Sequence, residues 1–333
     1  ISSGNNSISV TEHHQGFLKI IDSVVYSNPW FTKENVLFAL QGLTKFLNND
    51  ELTAWTDFYN LSENKNPLTI GVVMAGNIPF VGFHDFLSVL VTGHCCLIKP
   101  SSKDDKLLNA YIKILLESEP HFADYIKVEE HVFKKFDAVI ATGSNNTSRY
   151  FEYYFGKYPH IIRKNRNAVA ILDGNETEDE LQGLATDIFT YFGLGCRNVS
   201  YLYVPEDYDV SQLKRYFKNY RQVINHHKYA NNYDYNKAIY LMKDLPFYDF
   251  GYLLLREESS LSSPVAVVHY EFYQTDGQLR KNLLQKSESI QCVVSNRNIT
   301  GSDVYFGQTQ NPNLFDYADN VDTIKFLSEL TAT

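Results

Sequence analysis

Cysteine is scarce in this chain, and the few cysteines present do not form a framework. Only four occur among the 333 residues: Cys95 and Cys96 are adjacent, while Cys196 and Cys292 lie far from them and from each other. This distribution matches neither a set of paired disulfides nor the closely spaced ligands of a zinc site. We therefore expect no metal site, and we expect a reducing compartment, the cytoplasm.

Long apolar runs and a surplus of basic residues are also missing. No stretch approaches the roughly 18 consecutive apolar residues of a membrane-spanning helix, and the first residues, ISSGN, have neither the basic nor the apolar region of a signal peptide. The formal charge is −9, which argues against a nucleic-acid partner because phosphate binding needs excess Lys and Arg. With 44% hydrophobic residues the chain is expected to be globular, and its length suits two domains.

The apolar pattern changes character near residue 66. Helices are predicted within 15–60, one of them with Thr32 as its N-cap. Beyond Asn66-Pro67, strand-like runs alternate with helical patterns, and one helix is expected to begin near Ser102 as its cap. The strand-like runs are LTIGVVMAG (68–76), CCLIKP, DAVIATG (137–143) and NAVAILDG (167–174). This alternation predicts a doubly wound parallel sheet whose ligands bind at the carboxyl ends of the strands.

A second group of strands is predicted after residue 190. VSYLYVP (199–205) opens it, and PVAVVHYEF and SIQCVVSN follow later in the chain. The intervening NHHKYANNYDYNKAIY has no clear apolar periodicity, so no element is predicted there.

One cysteine stands apart from the others. Cys196 lies between a predicted helix and a predicted strand, after Gly193 and Gly195 and before Arg197. A substrate can reach a thiol at such a turn, and nearby positive charge or backbone N–H groups lower a thiol's pKa. Cys196 is therefore a candidate nucleophile, the alternative being a cysteine that only packs. The other three lie in apolar strands and are expected to be small buried hydrophobic residues.

Several motifs, in order, resemble those of the aldehyde dehydrogenase superfamily. MAGNIPF, GHCCLIKPS, ATGS, NAVAILDG and GLGCRNVSYLYV are similar to that superfamily's WNFP, GNxxxxKPS, FTGS, PxIVxxDAD and GQxCxxxxRxxV segments. The segments NPWFTKENVLFALQGL, MAGNIPFVGFHD and FDYADNVDTIKFL make the chain most similar, over nearly its whole length, to the long-chain acyl-CoA and acyl-protein thioester reductases. This is the fatty acid reductase family of bacterial bioluminescence.

The resemblance implies an aldehyde dehydrogenase-like α/β fold. We accordingly expect an N-terminal helical segment (1–66) that packs on the cofactor domain, a doubly wound nicotinamide-binding domain (67–190), an α/β catalytic domain (191–310) and a C-terminal segment (311–333). Because relatives in the superfamily usually associate, a homodimer is a further expectation.

The resemblance also implies roles for individual residues. Cys196 matches the nucleophile, and Asn77 matches the residue whose amide, with the nucleophile's backbone N–H, stabilises an oxyanion. An Asx-type turn before Ile78-Pro79 is an alternative or simultaneous role for Asn77. Gly143 and Ser144 match the turn that packs the cofactor pyrophosphate against a helix N-terminus.

The KPS motif bears on the choice of cofactor. Lys99 matches the lysine that contacts the adenosine ribose, and Ser101 ends the motif. Where NAD-preferring relatives carry Glu, this chain has Ser102 followed by Lys103. A hydroxyl and an amine leave room for a 2′-phosphate, so NADPH is favoured over NADH. The alternative is that Lys103 is only an exposed helix charge.

Two departures from the superfamily pattern concern carboxylates. Glu258 matches the nicotinamide-ribose contact, although its gap to Pro264 is longer than in the family. The Glu that activates water in hydrolytic relatives falls at about Ile162, where no carboxylate is available. A thioester on Cys196 would therefore persist until CoA captured it or hydride reduced it. The resemblance implies the second fate, reduction of a fatty acyl-CoA or acyl-protein thioester to the aldehyde.

Alternative functions and roles stay open at this point. One is an acyl-phosphate reductase resembling the glutamyl phosphate reductases, another an acyl-transfer or carrier-docking subunit without hydride chemistry, and a third a non-catalytic scaffold. His226, His227 and His269 are candidates for protonating a departing thiolate. The simpler expectations are a polar loop for the first two and a packed strand position for His269.

Overall fold

The computed structural model describes residues 12–61, 66–131 and 133–331. The chain divides into two compact units, the first formed by residues 1–164 and 313–333 and the second by residues 165–312. The segment ISSGN lies outside the described residues. Within the described ranges, no helix is both long and apolar enough to cross a membrane.

The first unit contains the helices predicted before residue 60. Numbered along the chain, its helices are α1 (Glu12–Ser23), α2 (Lys33–Phe46), α3 (Asn49–Phe58), α4 (Phe83–Val91), α5 (Asp105–Ser118), α6 (Asn145–Phe155) and α11 (Thr323–Ser328). The predicted N-cap of α2 is confirmed, since the Thr32 hydroxyl accepts the N–H of Asn35 at 3.3 Å. The predicted cap of α5 is wrong by two residues: Ser101 to Asp104 form a turn, closed by the Asp104 N–H to the Ser101 carbonyl at 2.9 Å, and the helix starts only after it.

The sheet of the first unit is parallel throughout. Its strands are β1 (Thr69–Val73), β2 (Cys95–Lys99), β3 (Ile126–Val128), β4 (Ala138–Thr142) and β5 (His160–Arg163). Their order is β3-β2-β1-β4-β5, so the direction of winding reverses between β1 and β4. This confirms the predicted doubly wound sheet and places its switch point, where ligands bind in such folds, at the ends of β1 and β4.

The C-terminal segment belongs to the first unit and is held there by polar contacts. The indole N–H of Trp55, a fully buried side chain, donates to the Tyr317 hydroxyl at 2.8 Å. Arg163 at the end of β5 forms a buried ion pair with Asp85 of α4 and donates to the Thr323 hydroxyl at 2.9 Å. Burying both charges is tolerable because each has its partner.

The second unit contains a six-stranded sheet. Its strands are β6 (Asn167–Ile171), β7 (Val199–Pro205), β8 (Tyr248–Asp249), β9 (Leu254–Glu257), β10 (Val267–Tyr273) and β11 (Ile290–Val294), and its helices are α7 (Glu178–Phe189), α8 (Leu213–Phe217), α9 (His227–Met242) and α10 (Asp276–Gln285). The strand order is β11-β6-β7-β10-β9-β8. All neighbours are parallel except β8, which runs antiparallel to β9.

Two features of the second unit differ from the prediction. β6 pairs with β7 and β11 instead of extending the first sheet, so the units divide at residue 164 and not near residue 190. The aromatic segment without apparent periodicity forms α9, whose buried residues are Tyr229, Tyr233, Asn236 and Tyr240. These positions do have helical spacing, but tyrosine and asparagine do not register as an apolar stripe.

Candidate active site

Candidate residues of the first unit meet at one edge of its sheet. Asn77 follows β1, Lys99 ends β2, and Gly143 follows β4. Val73, the last residue of β1, is in register with Lys99 on one side and with Ala141 on the other. The carboxyl ends of these three strands therefore bring the candidates together at the switch point.

The turn after β4 leads directly into the N-terminus of α6. Ser144 caps α6, its hydroxyl accepting the Thr147 N–H at 3.3 Å, and the Gly143 N–H donates to the Arg163 carbonyl at 3.2 Å. A Cβ at Gly143 would lie 2.8 Å from the Phe151 ring and 3.0 Å from Thr147 Cβ. Glycine is required here so that the strand can pass directly into a helix, whose N-terminus favours a bound anion.

The loops after β1 and β2 are in direct contact. A Cβ at Gly76 would lie 2.5 Å from the Ser101 hydroxyl oxygen, so glycine permits the approach. Lys99 extends its ammonium group to the Glu130 carbonyl at 2.7 Å. Ser102 and Lys103 are exposed beside this contact.

Sequence reasoning missed the acidic residues at this edge. β3 is only three residues long and was not predicted, yet it pairs with β2 and is followed by Glu129 and Glu130. The Glu129 carboxylate accepts the His131 N–H at 2.9 Å. Carboxylates at this edge are the groups that bind ribose hydroxyls, so they oppose the preference that Ser102 and Lys103 give for NADPH.

Asp104 was also missed, and it fixes the loop that carries Asn77. Its side chain is buried and accepts the backbone N–H of Phe80 at 2.9 Å. Phe80 has a φ of +57°, a strained conformation that needs such an anchor. Burial raises the pKa of Asp104 to about 7. Asn77 itself is exposed, as a side chain that meets a substrate would be.

In the second unit, Cys196 follows a strained turn. Tyr191, Phe192 and Gly193 have φ values of +53°, +59° and +76°, three consecutive residues in the left-handed region. Such a conformation costs about 1–3 kcal/mol for each non-glycine residue. The Cys196 thiol is half-buried and lies before the start of β7, at the amino edge of its sheet rather than at the carboxyl edge where ligand chemistry was expected.

A buried amide holds the turn in place. Asn198 is 2% exposed, and its side-chain oxygen accepts the Gly195 N–H at 2.8 Å. Its side-chain NH₂ donates to the carbonyls of Asp187 at 2.9 Å and Thr190 at 2.8 Å. One side chain thus ties the residue before Cys196 to the end of α7.

The residue after Cys196 is anchored through a second buried network. Arg197 donates from Nε to the Thr309 carbonyl at 2.5 Å. The Asp187 carboxylate accepts the Thr309 N–H at 3.0 Å, the Thr309 hydroxyl at 2.8 Å and the Gly307 N–H at 2.7 Å. Burial raises the pKa of Asp187 to about 6 against the lowering effect of these bonds. Asp187 was not identified from sequence, because its partners are over 100 residues away.

The other cysteines differ from Cys196 in their surroundings. Cys96 is buried as expected, and burial strongly raises the pKa of its thiol. Cys95 and Cys292 are half-buried rather than buried, and the Cys95 thiol lies 3.7 Å from the Asp124 carbonyl.

Glu258 is not at the edge where Cys196 lies. It follows β9, whose last residue, Glu257, is in register with Tyr270 of β10, and Tyr270 is in register with Leu202 in the middle of β7. Cys196, by contrast, precedes β7. Within the second unit, the structure thus leaves these two candidates apart.

The histidines occupy three settings. His269 is buried in β10 with Nδ1 at 2.8 Å from the Ser260 carbonyl, and burial lowers its pKa. His226 caps α9, its ring accepting the Tyr229 N–H at 3.4 Å, and packs at a tilt against Phe192 of the strained turn with centroids 4.4 Å apart. The His227 ring lies 5.2 Å from that of His226. His226 is therefore in contact with the turn before Cys196.

Comparisons with known proteins give a family and a fold. The family model of acyl-CoA reductase (LuxC) matches residues 35–224. Solved structures that resemble the chain include aldehyde dehydrogenase 21 from Physcomitrella patens in complex with the reaction product succinate (TM-score 0.66, 13% identity, 96% of this chain and 82% of that one). Others are Staphylococcus aureus AldH (0.59, 15%, 87% and 75%) and Escherichia coli lactaldehyde dehydrogenase (0.60, 13%, 87% and 73%). The curated proteins contain no match. The structural likeness confirms the predicted aldehyde dehydrogenase-like fold.

Proposed function

Because this chain belongs to the acyl-CoA reductase (LuxC) family, we propose that it reduces the acyl group of a thioester to the aldehyde through a covalent intermediate on Cys196, with NADPH as the hydride donor. The thioester is a fatty acyl group carried by CoA or by a protein. An enzyme of this kind uses a nicotinamide cofactor, which agrees with the aldehyde dehydrogenase-like fold.

The observation that carries this proposal is the anchored, strained turn before Cys196. Left-handed backbone at Tyr191 and Phe192 is maintained only where surrounding contacts enforce it. Here the contacts of Asn198 and Arg197 hold the residues on either side of the thiol. A cysteine fixed in this way supports nucleophilic attack, which requires a reacting atom held in one geometry.

In the proposed reaction the Cys196 thiolate attacks the thioester carbonyl carbon. A new C–S bond forms, the carbonyl becomes an oxyanion, and we assign its stabilisation to the Asn77 amide. Collapse of the oxyanion breaks the bond to the carrier sulfur, which leaves as a thiol after taking a proton. After reduction, the C–S bond to Cys196 breaks, and the aldehyde and the free thiol are released.

The carboxyl edge of the first sheet is where we place the cofactor, whose nicotinamide supplies the hydride when bound. Gly143, Ser144 and the N-terminus of α6 are assigned to the pyrophosphate, because backbone N–H groups at a helix N-terminus favour an anion. Lys99 and Ser101 are assigned to the adenosine side. Glu258 is not assigned a cofactor contact in this proposal, because it follows β9, away from the edge where Cys196 lies.

The choice between NADPH and NADH depends on opposing groups. Ser102 and Lys103 accommodate a 2′-phosphate, whereas Glu129 and Glu130 repel one. We favour NADPH because Ser102 and Lys103 are exposed and supply a hydroxyl and an amine for the 2′-phosphate.

The reductive outcome, rather than hydrolysis, is proposed from the position that would hold a general base for water. Counting along the motif places that position at about Ile162, which lies in β5, and an alkyl side chain cannot take a proton. The acyl-enzyme therefore persists until it is reduced or returned to a thiol.

The experiment is a panel of thioesters with acyl chains from two to sixteen carbons, assayed with NADH and NADPH on the wild type and on Cys196→Ala. We expect NADPH-dependent aldehyde formation by the wild type, and none by the variant, which should still quench NADPH fluorescence. Cys292→Ala, in a half-buried strand position, is the matched control. Aldehyde formation by Cys196→Ala would refute the proposal. A wild type that becomes acylated on Cys196 without oxidising NADPH would also refute it.

A further inference from the structure

The second unit contains an open cavity that the proposed chemistry does not use. Its volume is about 670 Å³, and it lies between the segment from α8 onward and the turn at 250–252. Its lining residues are Lys214, Lys218, Arg221, Gln222, Ile224, Asn225, Phe250, Gly251 and Tyr252. The lining thus combines cationic and aromatic side chains.

The positive charge in this cavity contrasts with the rest of the chain. Lys214, Lys218 and Arg221 all line it, although the whole chain has a formal charge of −9. Within the part of the chain that the structure describes, no carboxylate lies at ion-pair distance from these three groups. The nearby Asp249 carboxylate is engaged elsewhere, by Lys237 at 2.7 Å. A concave surface lined by charges of one sign focuses its field on an anion.

The three cations are positioned by a rigid framework. They are spaced four and three residues apart on α8 and the 3₁₀ helix Lys218–Asn225 that continues it, so they share one face. The opposite face is anchored in the core: Phe217 is fully buried, and the Tyr220 ring stacks on Phe189 with centroids 5.0 Å apart. The backbone positions that carry the three cations are therefore fixed on one face before any ligand binds.

The same framework adjoins the turn that carries Cys196. Phe189 is the last residue of α7, and the strained turn begins two residues later. Tyr220 also donates its hydroxyl to Thr186 of α7 at 2.8 Å. At the far end of the 3₁₀ helix, His226 packs against Phe192. The helical segment that lines the cavity is thus in contact with α7 and with the strained turn before Cys196.

From this juxtaposition we propose that Lys214, Lys218 and Arg221 form a phosphate-binding site that holds the phosphate groups of the thioester's carrier while its acyl group reaches Cys196. Arg221 supplies a planar guanidinium that bonds two phosphate oxygens, and the lysines supply point charges. Phe250 and Tyr252 provide an aromatic surface for a carrier's base or apolar arm. This inference rests on the proposed function.

The test compares two thioesters that differ only in the carrier. Octanoyl-CoA has the phosphates, and the octanoyl thioester of N-acetylcysteamine lacks them. We expect Lys218→Gln/Arg221→Gln to raise the KM for octanoyl-CoA, relative to the KM for the phosphate-free thioester, by about ten-fold or more, as expected for losing a charge-assisted contact. Added NaCl should raise the octanoyl-CoA KM of the wild type more than that of the variant.

The matched control is Arg215→Gln/Lys243→Gln, which removes the same charges from exposed positions outside the cavity. It should leave the ratio of the two KM values as in the wild type. If the ratio of the KM for octanoyl-CoA to the KM for the phosphate-free thioester were the same in both double variants, the proposal would be overturned. The loss of positive charge anywhere on the surface would then have the same effect as its loss in the cavity. The proposal would also be overturned if Lys218→Gln/Arg221→Gln raised the KM only for a thioester whose carrier is an acidic protein that has no phosphate group.

Further arms separate the sources of phosphate and the two proposals. 3′-Dephospho-CoA thioesters and a phosphopantetheinyl carrier protein show whether the site reads the nucleotide phosphate or the phosphate of the pantetheine arm. A wild type that reduces no thioester of the panel from two to sixteen carbons would defeat the proposed function. A wild type that reduces both, with no difference between the double variants, would defeat the phosphate site alone.

Discussion

The contact between α7 and the segment that supports Arg197 allows a quantitative prediction. Gly183 lies within α7, and a Cβ there would be 2.9 Å from the carbonyl carbon of Phe306 and 3.0 Å from the backbone nitrogen of Gly307. These are backbone atoms, which cannot rotate away as a side chain can. Gly183→Ala must therefore push α7 and residues 306–309 apart.

We expect Gly183→Ala to destabilise the second unit. At an open helix position, replacing Gly by Ala stabilises by roughly 0.5–1 kcal/mol, whereas overpacking of a close contact costs about 1–3 kcal/mol. The net loss of unfolding free energy should be about 1–2 kcal/mol. Asp187 lies one turn further along α7 and binds Gly307 and Thr309, so the displacement should reach the Cys196 turn. Because a shift of a reacting group by about 1 Å can cost 100-fold in rate, we expect turnover to fall at least about ten-fold.

Gly277→Ala in α10 is the control within the same unit, because the nearest atom to a Cβ there is the Thr275 hydroxyl oxygen at 3.9 Å. Urea unfolding followed by far-UV circular dichroism, together with steady-state aldehyde formation, measures both effects. Tryptophan fluorescence would report on the first unit, which contains Trp30 and Trp55. We expect the control to be neutral or slightly stabilised and fully active. If Gly183→Ala unfolded at the same urea concentration as the control and turned over normally, the close contact would not support the site.

Three further predictions concern the candidate residues. Asp104→Asn keeps an acceptor for the Phe80 N–H but cannot ionise. Burial raises the pKa of Asp104 from 3.8 to about 7, so between these pH values the folded wild type keeps a proton that the unfolded chain has released. The wild type therefore loses stability as pH rises through that range. The urea midpoint of Asp104→Asn, relative to that of the wild type, should rise from pH 5 to pH 8, and a constant difference would contradict this reasoning. Ser102→Glu should shift the ratio of kcat/KM for NADPH and NADH towards NADH by about ten-fold or more, through repulsion of the 2′-phosphate, and an unchanged ratio would remove Ser102 from the cofactor site. Iodoacetamide at neutral pH should alkylate Cys196 well before Cys96, which is buried with a raised pKa, as peptide mass spectrometry would show; equal rates would argue against a reactive Cys196.

Local patterns in the sequence were sufficient for most elements but not for their pairing. The run NAVAILDG was correctly predicted as a strand, because apolar continuity is a local property. Its neighbours are β7 and β11, and nothing within the run distinguishes those partners from the strands of the first sheet. The boundary between the units was misplaced for that reason, since it depends on which sheet β6 joins.

The candidate site shows the same division between local and distant information. Asn77, Lys99 and Gly143 were named from motifs that resemble those of a family. Because each motif ends a strand and parallel strands bring their ends together, the three residues lie at one edge of the first sheet. Asp104 and Glu129 were missed because their roles depend on contacts with Phe80 and on the short strand β3. Glu258 was identified by motif alone. The motif could not show that the neighbouring Glu257 is in register, through Tyr270 of β10, with the middle of β7.

The backbone before Cys196 bears on whether this cysteine reacts or only packs. A packing cysteine needs no special conformation, and selection for stability alone would relax a turn with Tyr191 and Phe192 in the left-handed region, which costs about 1–3 kcal/mol at each of them. Instead, the chain opposes that cost with the buried amide of Asn198 and the buried carboxylate of Asp187, two polar groups that are themselves costly to bury unless every bond is made. The strained residues and the buried groups that restrain them therefore lie beside the same thiol, that of Cys196. That combination is expected where a reacting atom must be held in place, and alkylation of Cys196 tests it directly.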